Sequence, residues 1–243
     1  MTLHLEKVSF TYDHNPIVSN FSITVEKGEF VSLIGKSGSG KSTILKLIAG
    51  LLQPKTGQIL MDTAIPSPGS FGYMPQQNLL LPWRTVLENL MLHSEIQKGN
   101  NYTKEDVREW LRKTGLAEWE NALPKQLSGG MKQRIAFLRT ILTGSEVLLL
   151  DEPFGALDAF TKRDMQKWLL SIWQELDKTI LFITHDLEEA ILLSDRILII
   201  HPQQGVEELK VDLPRPREAG MIYTAEMVKY RQELERRITD GLD

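Results

Sequence analysis

A chain of 243 residues, 42% hydrophobic and 25% charged, is long enough to bury a sizeable core and has the composition neither of a disordered segment nor of a membrane protein. Its net charge of -4 argues against a surface built to neutralise a phosphate backbone, so nucleic acid is not expected as a partner. With no cysteine in the chain, a disulfide framework, a thiolate zinc site and a cysteine nucleophile are all excluded.

The N-terminus, MTLHLEKVSFTYDHN, is charged and polar where a signal peptide needs an apolar stretch. No apolar run approaches the roughly 18 residues of a membrane-spanning helix, so the chain by itself is expected in the cytosol. Residues 3–10 alternate loosely, polar turn residues follow at 13–16, and residues 21–25 alternate again before Lys27-Gly28, which reads as antiparallel strands. Residues 30–34 form a continuous apolar run ending in a Gly/Ser-rich loop, and residues 43–49 have helical spacing closed by Gly50. The runs 147–150, 179–183 and 196–200 are short, apolar and rich in branched residues, as strands buried on both faces of a parallel sheet are, with a helical stretch at 164–176 between them. The alternation predicts an α/β domain with right-handed crossovers. From about 87 to 142 the pattern is helical with no convincing strand, which predicts a helical insertion with a loop at 100–103. Beyond Pro202 the pattern weakens, and Pro214-Arg215-Pro216-Arg217 reads as an extended connector before a charged helix at 225–237.

Gly35-Lys36-Ser37-Gly38-Ser39-Gly40-Lys41-Ser42-Thr43 satisfies the P-loop pattern between a buried strand and a helix, the context that the pattern needs. Glycines let the backbone curl so that successive N–H groups face inward, and the following helix points the positive end of its dipole at the same place. Lys41 then reaches the β and γ phosphates, and the Ser42 hydroxyl coordinates Mg²⁺. The motif alone leaves kinases, GTPases and ATPases undivided. Asp151 and Glu152 follow a buried strand at its carboxyl end, where open α/β sheets bind ligands. Asp151 is placed to hold Mg²⁺ through its water shell, and Glu152 to polarise the water that attacks the γ phosphate, which favours hydrolysis. His185 follows the strand at 179–183 in the same way and is a candidate to bond the γ phosphate or position the water.

Leu127-Ser128-Gly129-Gly130-Met131-Lys132-Gln133-Arg134 precedes a helix with apolar positions at Met131, Ile135, Leu138 and Leu142. Ser128 is a plausible N-cap, and the two glycines leave backbone N–H groups open to an anion, a second phosphate site in a chain whose first is complete. Here the residues resemble a family. LSGGMKQR is similar to the signature of the nucleotide-binding subunits of ATP-binding-cassette transporters, and the resemblance runs from Leu3 to about Arg217.

The resemblance implies a P-loop NTPase (RecA-like) α/β core with an antiparallel β subdomain and a helical insertion subdomain. It divides the chain into a core at 1–76 and 143–205, a helical signature subdomain at 77–142 and a C-terminal extension at 206–243. It also implies two ATP molecules held with Mg²⁺ in a head-to-tail homodimer, Ser128, Gly129 and Gly130 of one copy closing over the P-loop of the other. Tyr12 matches the aromatic that stacks on adenine, though a hairpin aromatic also serves to cover core. Gln76 resembles the glutamine that senses Mg²⁺ and the attacking water; Gln77 is its rival, and the spacing to Trp83 favours Gln76. Phe154-Gly155-Ala156-Leu157-Asp158 resembles the segment that crosses the dimer interface, with Asp158 coupling the sites. Lys36 and Ser145 stand where the family is variable or often has proline, and neither is a ligand position.

Leu79-Leu80-Leu81-Pro82-Trp83-Arg84-Thr85-Val86 and Asp212-Leu213-Pro214-Arg215-Pro216-Arg217 are similar to the nitrate, sulfonate and taurine importer subfamily, which includes importers of thiamine-pyrimidine precursors. The resemblance implies transmembrane permease subunits and a solute-binding protein as separate chains, with this one at the cytoplasmic face of the membrane. Two rival readings lack support in the sequence. Non-transport ATPases of the superfamily usually carry long coiled coils or tandem cassettes, and a P-loop small-molecule kinase leaves the signature and Glu152 without a purpose.

Overall fold

The computed structural model describes residues 1–67, 69–97, 102–155, 157–201 and 205–240. Two sheets enclose one helix and carry the others on the outside. Strands β1 (Leu3–Tyr12), β2 (Asn15–Val25) and β4 (Thr56–Met61) form an antiparallel sheet in the order β2-β1-β4. Strands β3 (Phe30–Ile34), β5 (Phe71–Met74), β6 (Val147–Asp151), β7 (Thr179–Ile183), β8 (Arg196–His201) and β9 (Gly205–Lys210) form the second in the order β5-β6-β7-β3-β8-β9. Its first five strands are parallel, and β9 closes the edge antiparallel to β8.

Strand side chains alternate between faces, and the two faces of the large sheet feed two separate cores. Val31, Leu33, Leu149, Leu181, Ile183 and Leu198 point to α1 (Lys41–Ile48) and the antiparallel sheet, where they meet Ile44, Leu45, Leu5 and Val25. Phe30, Leu148, Leu150, Ile180, Phe182 and Ile197 point the other way. There they meet α4 (Gly129–Ile141), α5 (Ala159–Leu176) and α6 (Leu187–Leu193). Every residue of β3, β6 and β7 is buried, as the continuous apolar runs require.

Between β5 and β6 lies the helical segment: α2 (Val86–Ile96), α3 (Lys104–Lys113), two short 3₁₀ turns and α4. Thr85 and Thr103 begin α2 and α3 with capping boxes to Glu88 and Asp106. Of the expected loop at 100–103, residues 100 and 101 lie outside the described residues, as do Ala156 and Pro202.

Three strands have no counterpart in the sequence reading. β4 opens on Thr-Gly-Gln, β5 is four residues long with a glycine, and β9 is an edge strand of half-exposed and exposed residues. None shows a clean alternation, because the partner strand rather than the local pattern decides the pairing. The main sheet therefore runs on to Lys210, past residue 205 where the sequence ends the core.

The Pro214–Arg217 stretch also differs from an extended connector. Arg217 is buried, and its guanidinium donates to the carbonyls of Ile191, Ser194, Val211 and Leu213. Burial, with Arg215 nearby, brings its pKa down to about 10. Arg215 lies 4.1 Å over the Trp173 ring and bonds Asp195 at 2.7 Å. These contacts dock α7 (Ala225–Asp240) and the segment before it on the end of α6. Replacing Arg217 by methionine leaves four buried carbonyls without this donor, and each such group costs roughly 1–3 kcal/mol when its partner is lost. Calorimetry of Arg217→Met should show Tm lower by about 8 °C or more for a chain of this size; a fall below about 2 °C contradicts a holding role for this arginine.

Candidate active site

The phosphate loop leaves β3 at Ile34 and enters α1 at Lys41. Gly35 and Gly40 have φ of +151° and +90°, and a Cβ on them would stand 2.6 Å from the Ile200 carbonyl oxygen and 2.9 Å from that of Ile17. Backbone is the obstacle at both positions, so only glycine fits.

The loop walls a cleft of about 590 Å³ beyond the carboxyl ends of the parallel strands. Apart from Ile17, every residue bordering it is one that the sequence singles out. Tyr12, Gly35, Ser37, Gly38, Gly40, Lys41, Ser42 and Thr43 form one side; Gln76, Glu152 and His185 form the other. Gln77 does not border it. Ser39 and Asp151 lie beneath the surface, each 4% exposed. Tyr12 is 44% exposed and meets core Phe10 edge to face at 4.8 Å, so it covers the hairpin and borders the cleft at once.

Lys41 Nζ donates to the carbonyls of Gly35 (2.8 Å) and Lys36 (2.9 Å) and pairs with no carboxylate among the described residues. Burial holds its pKa below the ordinary lysine value, against the pull of Glu152 and Asp151. A desolvated ammonium compensated by carbonyl dipoles suits a phosphate. Ser42 Oγ donates to Asp151 Oδ1 at 3.0 Å. Burial raises the Asp151 carboxyl above the usual aspartate range, against the bond from Ser42. No group of three His, Cys, Asp or Glu suited to a metal occurs among the described residues. One hydroxyl and one carboxylate therefore fit Mg²⁺, which keeps several waters and takes its other ligands from a triphosphate, better than they fit a metal caged by protein.

Three candidate catalytic residues converge on one atom. Glu152 Oε2 accepts from Gln76 Nε2 at 3.2 Å and lies 3.3 Å from His185 Nδ1, so an imidazole carrying its proton on Nδ1 donates to the same oxygen. Glu152 itself has φ +46°, a left-handed conformation that costs a non-glycine residue about 1–3 kcal/mol. Its N–H donates to Ile183 O at 3.1 Å, and its carbonyl accepts from Gly155 N–H at 3.1 Å.

The signature residues lie elsewhere. Ser128 caps α4 by accepting the Met131 N–H at 3.2 Å, as its sequence position predicts, but neither it nor Gly129 nor Gly130 borders the cleft of its own chain. Ser128 and Gly129 are exposed, whereas Gly130 is buried. A Cβ on Gly130 would stand 2.4 Å from Thr161 Cγ2, so its missing side chain is first a packing requirement against α5. Thr161 in turn donates to Asp158, which caps α5 by accepting the N–H groups of Phe160 and Thr161 at 3.1 Å each.

Several supporting residues escape the sequence reading. Lys162 bonds both Asp186 and the buried Glu189 at 2.7 Å, and Glu189 also accepts from Thr184 and Gln166. Both neighbours of His185 are thereby held to α5 or α6. Burial drives the Glu189 carboxyl up despite Lys162; at Asp186 burial opposes, yet the bond to Lys162 carries the carboxyl below its ordinary value. Gln133 and Arg139 reach from α4 to Pro153 O and to the carbonyls of Asn78 and Leu79. Their one signal in the sequence is a polar side chain among the apolar positions of a helix, which does not name its partner.

Fold and cleft together define a P-loop nucleoside triphosphatase with an accessory antiparallel sheet and a helical segment. A family profile described as ABC transporter matches residues 18–155. The formylaminopyrimidine import ATP-binding protein ThiZ of Halalkalibacterium halodurans is 45% identical over 242 residues, spanning 97% of this chain and 94% of its own. The aliphatic sulfonates import ATP-binding protein SsuB of Bacillus cereus is 42% identical over 227 residues, spanning 89% and 90%. Among solved structures, the dimeric post-hydrolysis state of the ATP-binding cassette MJ0796 bound to ADP and Pi matches with TM-score 0.74 and 30% identity, covering 87% of this chain and 100% of that one. The chain belongs to the ABC transporter family, and it is an ATP-binding, ATP-hydrolysing cassette of that family.

The contact between Gly130 and Thr161 gives a direct test. Gly130→Ala should lose about 1–3 kcal/mol of stability through overpacking. Thr161→Ser removes the opposing methyl, so the double variant should recover most of that loss in denaturant titrations; no recovery would place the crowding elsewhere.

Proposed function

We infer that the chain is the ATP-hydrolysing subunit of an importer, working as a head-to-tail pair beneath separate permease subunits at the cytoplasmic face of the membrane. The observation that carries the reading is the separation of the two phosphate-binding elements. The P-loop, Gln76, Glu152 and His185 border one cleft, while Ser128 and Gly129 are exposed outside it. A second copy turned head to tail supplies what the cleft lacks, and the dimeric cassette among the solved relatives supports that arrangement. The names of the relatives support import of a small organic solute, a formylaminopyrimidine or an aliphatic sulfonate. A separate solute-binding protein, which the resemblance implies, delivers it. Leu79 and Trp83, 57% and 73% exposed, are the apolar surface offered to the permease.

In this reading the loop N–H groups and Lys41 bind the triphosphate, Lys41 exchanging the carbonyls of Gly35 and Lys36 for phosphate oxygens. Tyr12 offers its ring to adenine. Ser42, Asp151 and Gln76 would hold Mg²⁺, which would supply positive charge to offset the negative charge of the phosphates. Glu152 orients and polarises the attacking water, and Gln76 and His185 fix its carboxylate. Ser128, Gly129 and Gly130 of the partner close the pocket, and Asp158 of each copy links the two sites.

Glu152→Gln should keep ATP binding, lower kcat by about 100-fold or more, and accumulate a dimer on size-exclusion columns run with ATP and Mg²⁺. Full activity would remove Glu152 from its role. Ser128→Arg should abolish turnover while nucleotide still binds the P-loop, measured by fluorescent-nucleotide titration; unchanged hydrolysis would mean that the pocket is not shared between copies.

A further inference from the structure

Gln133 lies on α4, 6% exposed, and its amide donates to the carbonyl oxygen of Pro153. That carbonyl belongs to the residue after Glu152, in the turn that holds Glu152 left-handed. Two backbone bonds fix the turn on its other sides, Glu152 N–H to Ile183 O and Gly155 N–H to Glu152 O. Gln133 closes the turn from the helical segment. It sits five positions after Ser128, on a helix whose first turn abuts the Asp158–Thr161 cap through Gly130.

We propose that Gln133 is a positioning residue for Glu152, holding the carboxylate in line through the Pro153 carbonyl and tying it to the helix that starts at Ser128. A left-handed glutamate relaxes readily to ordinary backbone when its restraints go, and relaxation swings the carboxylate away from Gln76 and His185. Loss of the amide donor therefore acts on the chemical step and leaves nucleotide binding at the P-loop alone. The tie matters because the first turn of the same helix closes the pocket of the other copy, a point that rests on the head-to-tail reading above.

The test is a kinetic cycle on the full chain. Gln133→Met keeps the side-chain length without a donor, and Gln133→Glu keeps the shape while placing a carboxylate against the carbonyl. Each should lower kcat about 10- to 100-fold with KM for ATP within about twofold of the parent, and each should accumulate the ATP-bound dimer in Mg²⁺ as a milder Glu152→Gln. A variant that only loosened the fold would lose the dimer instead. The double variant Gln133→Met/Glu152→Gln should turn over no more slowly than Glu152→Gln alone, since both act through one group. An unchanged kcat, a loss confined to KM, or multiplicative losses in the double variant would each overturn the proposal. Ser128→Arg separates the two readings: if it retains turnover, the shared pocket fails whatever Gln133 does, and if it is inactive while Gln133→Met is normal, the positioning role alone fails.

Discussion

A parallel sheet buried on both faces can offer polar chemistry only where its strands end. β3, β6 and β7 are buried at every residue, so a side chain along them short of the carboxyl end cannot carry a charge at tolerable cost. The polar groups of the cleft and the carboxylate beneath it are therefore gathered at one edge: the P-loop after β3, Asp151 and Glu152 at the end of β6, and His185 after β7. Because β7 lies between β6 and β3, residues far apart in the chain arrive side by side. The inward-facing core fixes the strand order, and the strand order fixes the cleft.

The same edge concentrates strain. Glu152 adopts a backbone conformation that the chain would not choose locally, and it persists because Ile183, Gly155 and Gln133 hold the turn from three directions. Its carboxylate oxygen then has Gln76 and His185 for neighbours, from two further segments. A carboxylate fixed by this many independent elements needs little reorganisation for the role proposed for it, which is where preorganisation contributes to a rate.

Away from the cleft, polar groups that are expensive to bury recur where helices meet. Lys162, Asp186 and Glu189 lock the first turns of α5 to those of α6 beside His185, while Arg215 and Arg217 hold the opposite end of α6. Such groups contribute orientation more than net stability, since desolvation offsets much of the attraction between them. The short helix that follows His185 is thus pinned at both ends, and α7 is joined to it through Arg231 and Glu188.

How much of this was legible beforehand follows from the range of each interaction. The P-loop, the acidic pair, His185 and the cap at Ser128 announce themselves because their chemistry is local: glycines that curl a backbone, a hydroxyl one turn from the N–H it accepts, carboxylates directly after an apolar strand. The buried strands were legible for the same reason, continuous apolar runs being unmistakable. β4, β5 and β9 were not, because their partners rather than their own residues make them strands. Nor were Gln133, Lys162, Glu189 and Arg217, each of which has a polar contact with a group 20 or more residues away. The sequence by itself picked out the P-loop, the acidic pair and His185 and the kinds of element on which they sit. Only the tertiary structure decided that Gln76 and His185 share one oxygen of Glu152, and that Gly130 is a glycine because Thr161 leaves it no room, since both depend on the packing of segments that no local pattern brings together.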